Sequence, residues 1–237
     1  MEVASRRLKL ATKCSPERAG LARAAEAGFH HAELWTDAAT LDQWEVAAEN
    51  CRSVALDYGI HAPNNPELGD DTLVNASRLY RALNCRAMVI HQPVFDRLGS
   101  KLLAIDEGLC LAVENHRLSR DEFRHWATSN RYLTLDVEHL WKFTLRDAPL
   151  ESLTDALDEF LAEFGGKLRH VHLPGYVPNG HEHRPMSTNP PFARAVWERL
   201  AKVGYDGLVV SEISVRFQTT AELRKDVELY EAWKSAG

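Results

Sequence analysis

Short apolar runs of strand length alternate with longer segments of helical period along all 237 residues, and no linker, short repeat or low-complexity stretch interrupts them. The strand-like runs are Leu8–Thr12, His31–Trp35, Gly59–His61, Ala87–His91, Leu109–Glu114, Tyr132–Asp136, Leu168–His172 and Gly207–Glu212. The segments between them carry helix punctuation. Ser15-Pro16 reads as a cap and first-turn proline for a helix to Ala27, which Gly28 stops. Thr36 or Thr40 is expected to open a helix through Tyr58 that Gly59 ends, and Ser119-Arg-Asp-Glu122 is a capping box. Ser152 or Thr154 opens a segment to Phe164 before Gly165-Gly166, and Thr219 or Thr220 opens one over Ala221–Trp233. Strict alternation requires a parallel sheet with crossover helices. Eight such units in one core make a (β/α)8 barrel, so residues 1–237 are expected to form a single domain. An open doubly wound sheet also alternates, but the first run is followed by no Gly-rich phosphate turn.

In such a barrel the C-terminal ends of the strands carry the functional side chains. Here they read Glu33, His61, His91, Glu114, Asp136, His172 and Glu212, so seven of the eight runs stop on or near a carboxylate or an imidazole. One such residue is usually structural. Several converging acids repel one another, and a divalent cation is the common remedy. Loop residues extend the set: His139 follows Asp136 by three positions, and Gly180-His-Glu-His183 puts His181 and His183 on one face of an extended segment. Trp35 and Trp141 lie just past strand ends, where aromatic rings pack on sugar faces, although burial is the commoner fate of tryptophan. Arg184 reads either as a group that holds a phosphate or hydroxyl or as a solvent-exposed arginine, and Glu33 either as an acid/base residue in contact with substrate or as one merely hydrogen-bonded at the rim.

Composition narrows the partners. No apolar run reaches the eighteen residues of a membrane span. The four cysteines (Cys14, Cys51, Cys85, Cys110) are far apart and read as free thiols of a reducing compartment. With no leader pattern, the expected location is cytoplasmic. Thirty-four acidic against 28 basic residues give a net charge of −6, which weighs against nucleic acid without excluding it.

The motifs Ile60-His-Ala-Pro63, Val89-Ile-His91, Val113-Glu-Asn-His116, Leu135-Asp-Val-Glu-His139, Val171-His-Leu173, His181-Glu-His183-Arg-Pro185 and Ser211-Glu212-Ile resemble, in their order, the xylose-isomerase-like TIM barrel superfamily. That superfamily includes sugar isomerases and epimerases and endonuclease IV. The likeness to the sugar enzymes implies one divalent metal (Mn²⁺, Mg²⁺ or Co²⁺) on Glu114, Asp136, His172 and Glu212. It also implies Glu114 and Glu212 as the acid/base pair, with His139 on the substrate. The likeness to endonuclease IV adds His61, His91, His139, His181 and His183 as ligands of a cluster of up to three Zn²⁺. His181 departs from it, since the nuclease has an aspartate in Asp-x-His; so does His172-Leu-Pro-Gly175, which replaces His-Leu-Asn-Asp. Few cationic residues follow the strand ends (Arg117, Arg120, Lys142, Arg184, Arg216), where a DNA enzyme lines up several along a phosphate track.

Three readings follow. The first is a metal-dependent isomerase or epimerase of a small sugar, sugar phosphate or polyol, exchanging a proton through an enediolate. The second is a multi-zinc phosphodiesterase or abasic-site endonuclease, with Glu114 bridging metals. The third is a silent barrel retained as a binding module. Homo-oligomers are common among such barrels; the sequence does not show which face would pair.

Overall fold

The structure is a computed structural model and describes residues 7–236. The expected barrel is present. Strands β1 (Lys9–Cys14), β2 (His31–Trp35), β3 (Asp57–His61), β4 (Met88–His91), β5 (Leu111–Glu114), β6 (Tyr132–Asp136), β7 (Leu168–His172) and β8 (Leu208–Ser211) pair in parallel, each with the next. β8 pairs back onto β1 and closes the ring. The helices are α1 (Arg18–Ala27), α2 (Ala38–Asp42), α3 (Trp44–Arg52), α4 (Asp70–Ala82), α5 (Gln92–Ile105), α6 (Arg120–Ser129), α7 (Val137–His139), α8 (Leu150–Phe164), α9 (Pro190–Lys202) and α10 (Thr220–Ser235).

Several boundaries differ from the sequence reading. α1 starts after Glu17 rather than at Ser15-Pro16, and Gly28 ends it in the left-handed region at φ 103°. Asp37, not Thr36 or Thr40, caps the second helical segment by accepting the Thr40 amide at 2.7 Å. That segment breaks at Gln43 into α2 and α3 and ends at Arg52, so Tyr58 and Gly59 belong to β3. α8 begins after Pro149. The capping box at Ser119 and the Thr219 cap form as expected.

Period-two alternation gives each strand two unlike faces. Leu10, Ala32, Leu34, Ile60, Met88, Ile90, Val113, Leu133, Leu135 and Val171 join the helices in one continuous apolar shell. Burying each large side chain there stabilises the fold by about 1.5–3 kcal/mol. The inward face is different. Its apolar part is a small plug of Ala11, Leu208 and Val210. The rest of the lumen is lined by buried Glu33, His61, Glu114, Thr134, Asp136, His170 and His172. Among the described residues no helix is long and apolar enough to cross a membrane.

Candidate metal and active site

His61, His91, Glu114, Asp136 and His172 are the last residues of β3, β4, β5, β6 and β7, and Glu212 follows β8 directly. Their convergence is a consequence of the closed ring: in-register parallel neighbours place His91 beside Glu114 and Asp136 beside His172. One donor atom from each of Glu114, Asp136, His172 and Glu212 lies within 4.8 Å of the others. His172 Nδ1 is 2.8 Å from Glu212 Oε2 and 3.4 Å from Glu114 Oε1. Yet His172 Nδ1, Glu212 Oε2 and Asp136 Oδ2 are all buried without a hydrogen-bond partner. Buried polar atoms are otherwise nearly always satisfied. Three carboxylates and an imidazole gathered this closely, with one atom each of Asp136, His172 and Glu212 lacking an aligned hydrogen bond, are a donor set that fits a divalent cation.

Glu114 has a second set of neighbours. Its Oε2 is 3.2 Å from Nε2 of both His61 and His91, forming a further cluster of ligand type with them. His61 is oriented from behind, its Nδ1 donating to the Ala62 carbonyl at 2.8 Å.

The turn after β6 is built around Asp136. Its Oδ1 accepts the His139 amide at 2.8 Å, while Asn115 clamps the Asp136 backbone with bonds of 2.7 and 2.9 Å. This brings His139 Nδ1 to 3.3 Å from Asp136 Oδ2 and 4.0 Å from Glu114 Oε1. Burial works against the His139 cation, but Asp136 and Glu114 overcome it and raise its pKa. Burial also resists ionisation of Glu114 and Glu212, yet the neighbouring His172 charge holds both well below the usual carboxylate range. His172 itself is desolvated, but Glu212, Glu33 and Glu114 raise it well above its ordinary value. Asp136 moves upward, chiefly through burial.

The remaining expected residues are distributed unevenly. His183 sits at the rim with φ 56°, its amide bonded to Glu138 Oε2 and its Nδ1 donating to the Glu212 carbonyl at 3.3 Å. His181 is exposed and, like His139 and His183, belongs to none of the ligand clusters among the described residues. Trp35 is 47% exposed and lines a surface pocket with Asp37, Asn64 and Asn65. Trp141 is instead buried against Tyr176 and Phe192 with Nε1 bonded to the Ala148 carbonyl, a core residue rather than a sugar contact. Arg184 is half-buried; its carbonyl accepts the Gly175 amide at 2.6 Å, where any side chain at 175 would collide with Pro185. Glu33 has no exposed surface. It lies mid-strand, below the rim, and touches His172 and His170 rather than open space.

Four residues of the site escaped the sequence reading. Lys13 bridges Glu212 Oε1 at 2.6 Å and Glu33 Oε1 at 3.2 Å. His170 Nε2 is 2.6 Å from Glu33 Oε2. His116 stacks on His91 at 5.2 Å and meets His139 edge-on at 5.0 Å. Glu138 is buried beneath the His183 loop, and burial with Asp136 nearby pushes its pKa up to about 9. The two-residue spacing of His170 from His172, which puts both inside the barrel, was the available signal for one of them.

Comparison with solved structures bears out the expected resemblance to xylose-isomerase-like barrels at the level of fold. A D-tagatose 3-epimerase-like protein matches with a TM-score of 0.65 and 17% identity, over 96% of this chain and 97% of its own. D-allulose 3-epimerase from Methylomonas sp. matches with a TM-score of 0.60 and 15% identity, over 96% and 98%. Dihydropteroate synthase from Thermus thermophilus, at 0.58 and 14%, covers 97% and 93%. No protein-family model matches the sequence, and no curated protein resembles it in sequence. Barrels of different chemistry superpose on this chain, so its function has to be argued from the site.

Proposed function

We propose that the protein is a metal-dependent isomerase or epimerase acting on a small sugar or related polyol. The observation that carries this reading is the quartet Glu114, Asp136, His172 and Glu212, gathered at the C-terminal mouth of the barrel with three unpartnered buried donor atoms. These four residues would hold the cation. When bound, a divalent cation supplies positive charge that polarises a carbonyl and favours loss of a proton from the adjacent carbon. Glu114 and Glu212, on strands three apart around the ring, are the carboxylates to take and return that proton. Each has one oxygen tied back, Glu114 by His61 and His91 and Glu212 by Lys13, which fixes the carboxylate planes. His139, whose pKa Asp136 and Glu114 raise, would donate a hydrogen bond to a substrate oxygen. The exposed Trp35, with Asn64 and Asn65, offers an apolar ring and amides suited to a sugar. The D-allulose 3-epimerase and the D-tagatose 3-epimerase-like protein among the structural neighbours support the same reading.

The cluster of His61, His91 and Glu114 favours a second reading, a two-metal phosphodiesterase with Glu114 as bridge. Against it, three of the five cations that follow the strand ends already have partners: Lys142 pairs with Glu182 at 2.7 Å, Arg117 lies over Phe143 and Arg216 over Phe217. A phosphate track requires such groups free.

Metal content of protein purified without a metal-affinity tag, with uptake of added Mn²⁺ or Zn²⁺, tests the site. Failure to bind either ion would refute it. Solvent deuterium entering one of a panel of ketoses supports the isomerase. Metal-dependent nicking of an abasic duplex, lost in Glu114→Gln and unaccompanied by deuterium uptake, would replace it with the nuclease.

A further inference from the structure

Beneath the metal quartet lies a second buried layer that the proposed chemistry leaves unused. Glu33 is at its centre. Oε2 accepts the Nε2–H of His172 at 2.8 Å, His170 Nε2 approaches the same oxygen at 2.6 Å, and Lys13 Nζ lies 3.2 Å from Oε1. Glu33 and His172 have no exposed surface, His170 has 1%, and the Lys13 side chain has 11%. A buried carboxylate survives only if paired, and this one is paired three times. The arrangement is also accommodated by the backbone. Lys13, Glu33 and Gly59 are in-register neighbours on β1, β2 and β3. A Cβ at position 59 would stand 3.2 Å from His170 Cε1 and 3.4 Å from Leu208 Cδ1, so glycine leaves the room that the His170 ring fills.

We propose that Glu33 is a positioning residue: by accepting the Nε2–H of His172 from below, it fixes the ring and leaves Nδ1 as the nitrogen offered to a cation among Glu114, Asp136 and Glu212. The proposal rests on the metal reading above. An imidazole offers a lone pair from only one nitrogen, and the hydrogen bond made by the other decides which. A carboxylate in that role also increases the basicity of the ligating nitrogen, and loss of such a partner typically weakens metal binding about 10–100-fold. Lys13 and His170 hold Glu33 in place, and Lys13 reaches on to Glu212, tying the support to a second ligand.

The test compares full-length wild type, Glu33→Gln and His170→Gln for Mn²⁺ affinity by isothermal titration, and assigns the His172 nitrogens by long-range ¹H–¹⁵N spectra of the Zn²⁺-loaded protein. Wild type is expected to show Nε2 protonated and Nδ1 metal-bound. Glu33→Gln is expected to bind Mn²⁺ about 10–100-fold more weakly with its melting curve still cooperative, and His170→Gln is expected to show a smaller loss. Equal affinity in Glu33→Gln, or metal on Nε2 in wild type, overturns the role of Glu33 while leaving the metal site standing. Wild type that binds neither ion removes the metal reading itself. If Glu33→Gln does not fold, the nitrogen assignment in wild type and the affinity of His170→Gln decide the matter.

Discussion

Val171 and His172 are consecutive residues of β7 and face opposite sides of one sheet. Val171 is in the apolar shell, where Leu135 and Val209 continue the same layer. His172 faces the lumen, with carboxylates on both edges of its ring. The shell is held by area removed from water, is non-directional and tolerates any side chain of the right volume. The lumen is held by directed pairs in a low-dielectric space, where removing one member leaves another charge uncompensated. One set of strands therefore carries two unlike faces: the outer face supplies stability, and the inner face carries the candidate site.

Substitutions on each face measure how separable these are. The largest effect is expected for Glu114→Gln, which touches both ligand clusters: proton exchange falls at least about 100-fold and as much as 10,000-fold, measured as initial rates with folding confirmed by circular dichroism. Retained exchange would show that the lumen is not the reaction site. Trp197 is the largest fully buried shell residue. Trp197→Ala is expected to cost about 3–5 kcal/mol in denaturant unfolding, with metal bound per folded molecule unchanged. A parallel loss of metal stoichiometry would show the two faces to be coupled.

A titration sharpens the contrast. Glu212, Glu33 and Glu114 raise the His172 pKa despite desolvation, so a proton and a cation compete for Nδ1. Metal affinity is therefore expected to rise as pH increases through the neutral range, with proton release seen as a dependence of binding heat on buffer ionisation. Affinity that is flat from about pH 6 to 8 would contradict this coupling. The smallest effect belongs to the surface. The Arg81 guanidinium beside Asp106, with the Gly108 amide and Ser77, holds the Asp106 carboxyl down to about 2 from 3.8. A depressed carboxylate contributes stability that is full above its unfolded pKa and lost as pH falls through the folded one. Asp106→Asn is thus expected to lower the melting temperature slightly at neutral pH, with the difference from wild type closing between pH 4 and 2.

What could be read from the sequence follows the same division. Glu114, Asp136, His172 and Glu212 were legible because strand period and barrel closure together send strand-terminal residues to one mouth. The helices were legible where side chains cap them, as at Ser119 and Thr219, and less so at Pro149 or Gln43, where the backbone alone makes the turn. Lys13 was hidden because β1 runs to Cys14, two residues beyond the apolar run, and a lysine there reads as solvated. Gly59 reads as a helix stop until its register partner Glu33 and the ring of His170 are seen. His181 and His183 share a spacing, but only the loop's path separates the exposed residue from the one against Glu212.

The ion pair of Lys13 with Glu212 joins residues 199 positions apart, across the seam where the last strand meets the first. The quartet therefore does not exist in any partly assembled ring: until β8 docks, the mouth lacks Glu212, and Lys13 lacks one of its two anions. A cation that binds only the finished circle stabilises that circle against opening. The contact between the two ends of the chain closes the longest loop in the ring, and it is the one that a bound cation would lock.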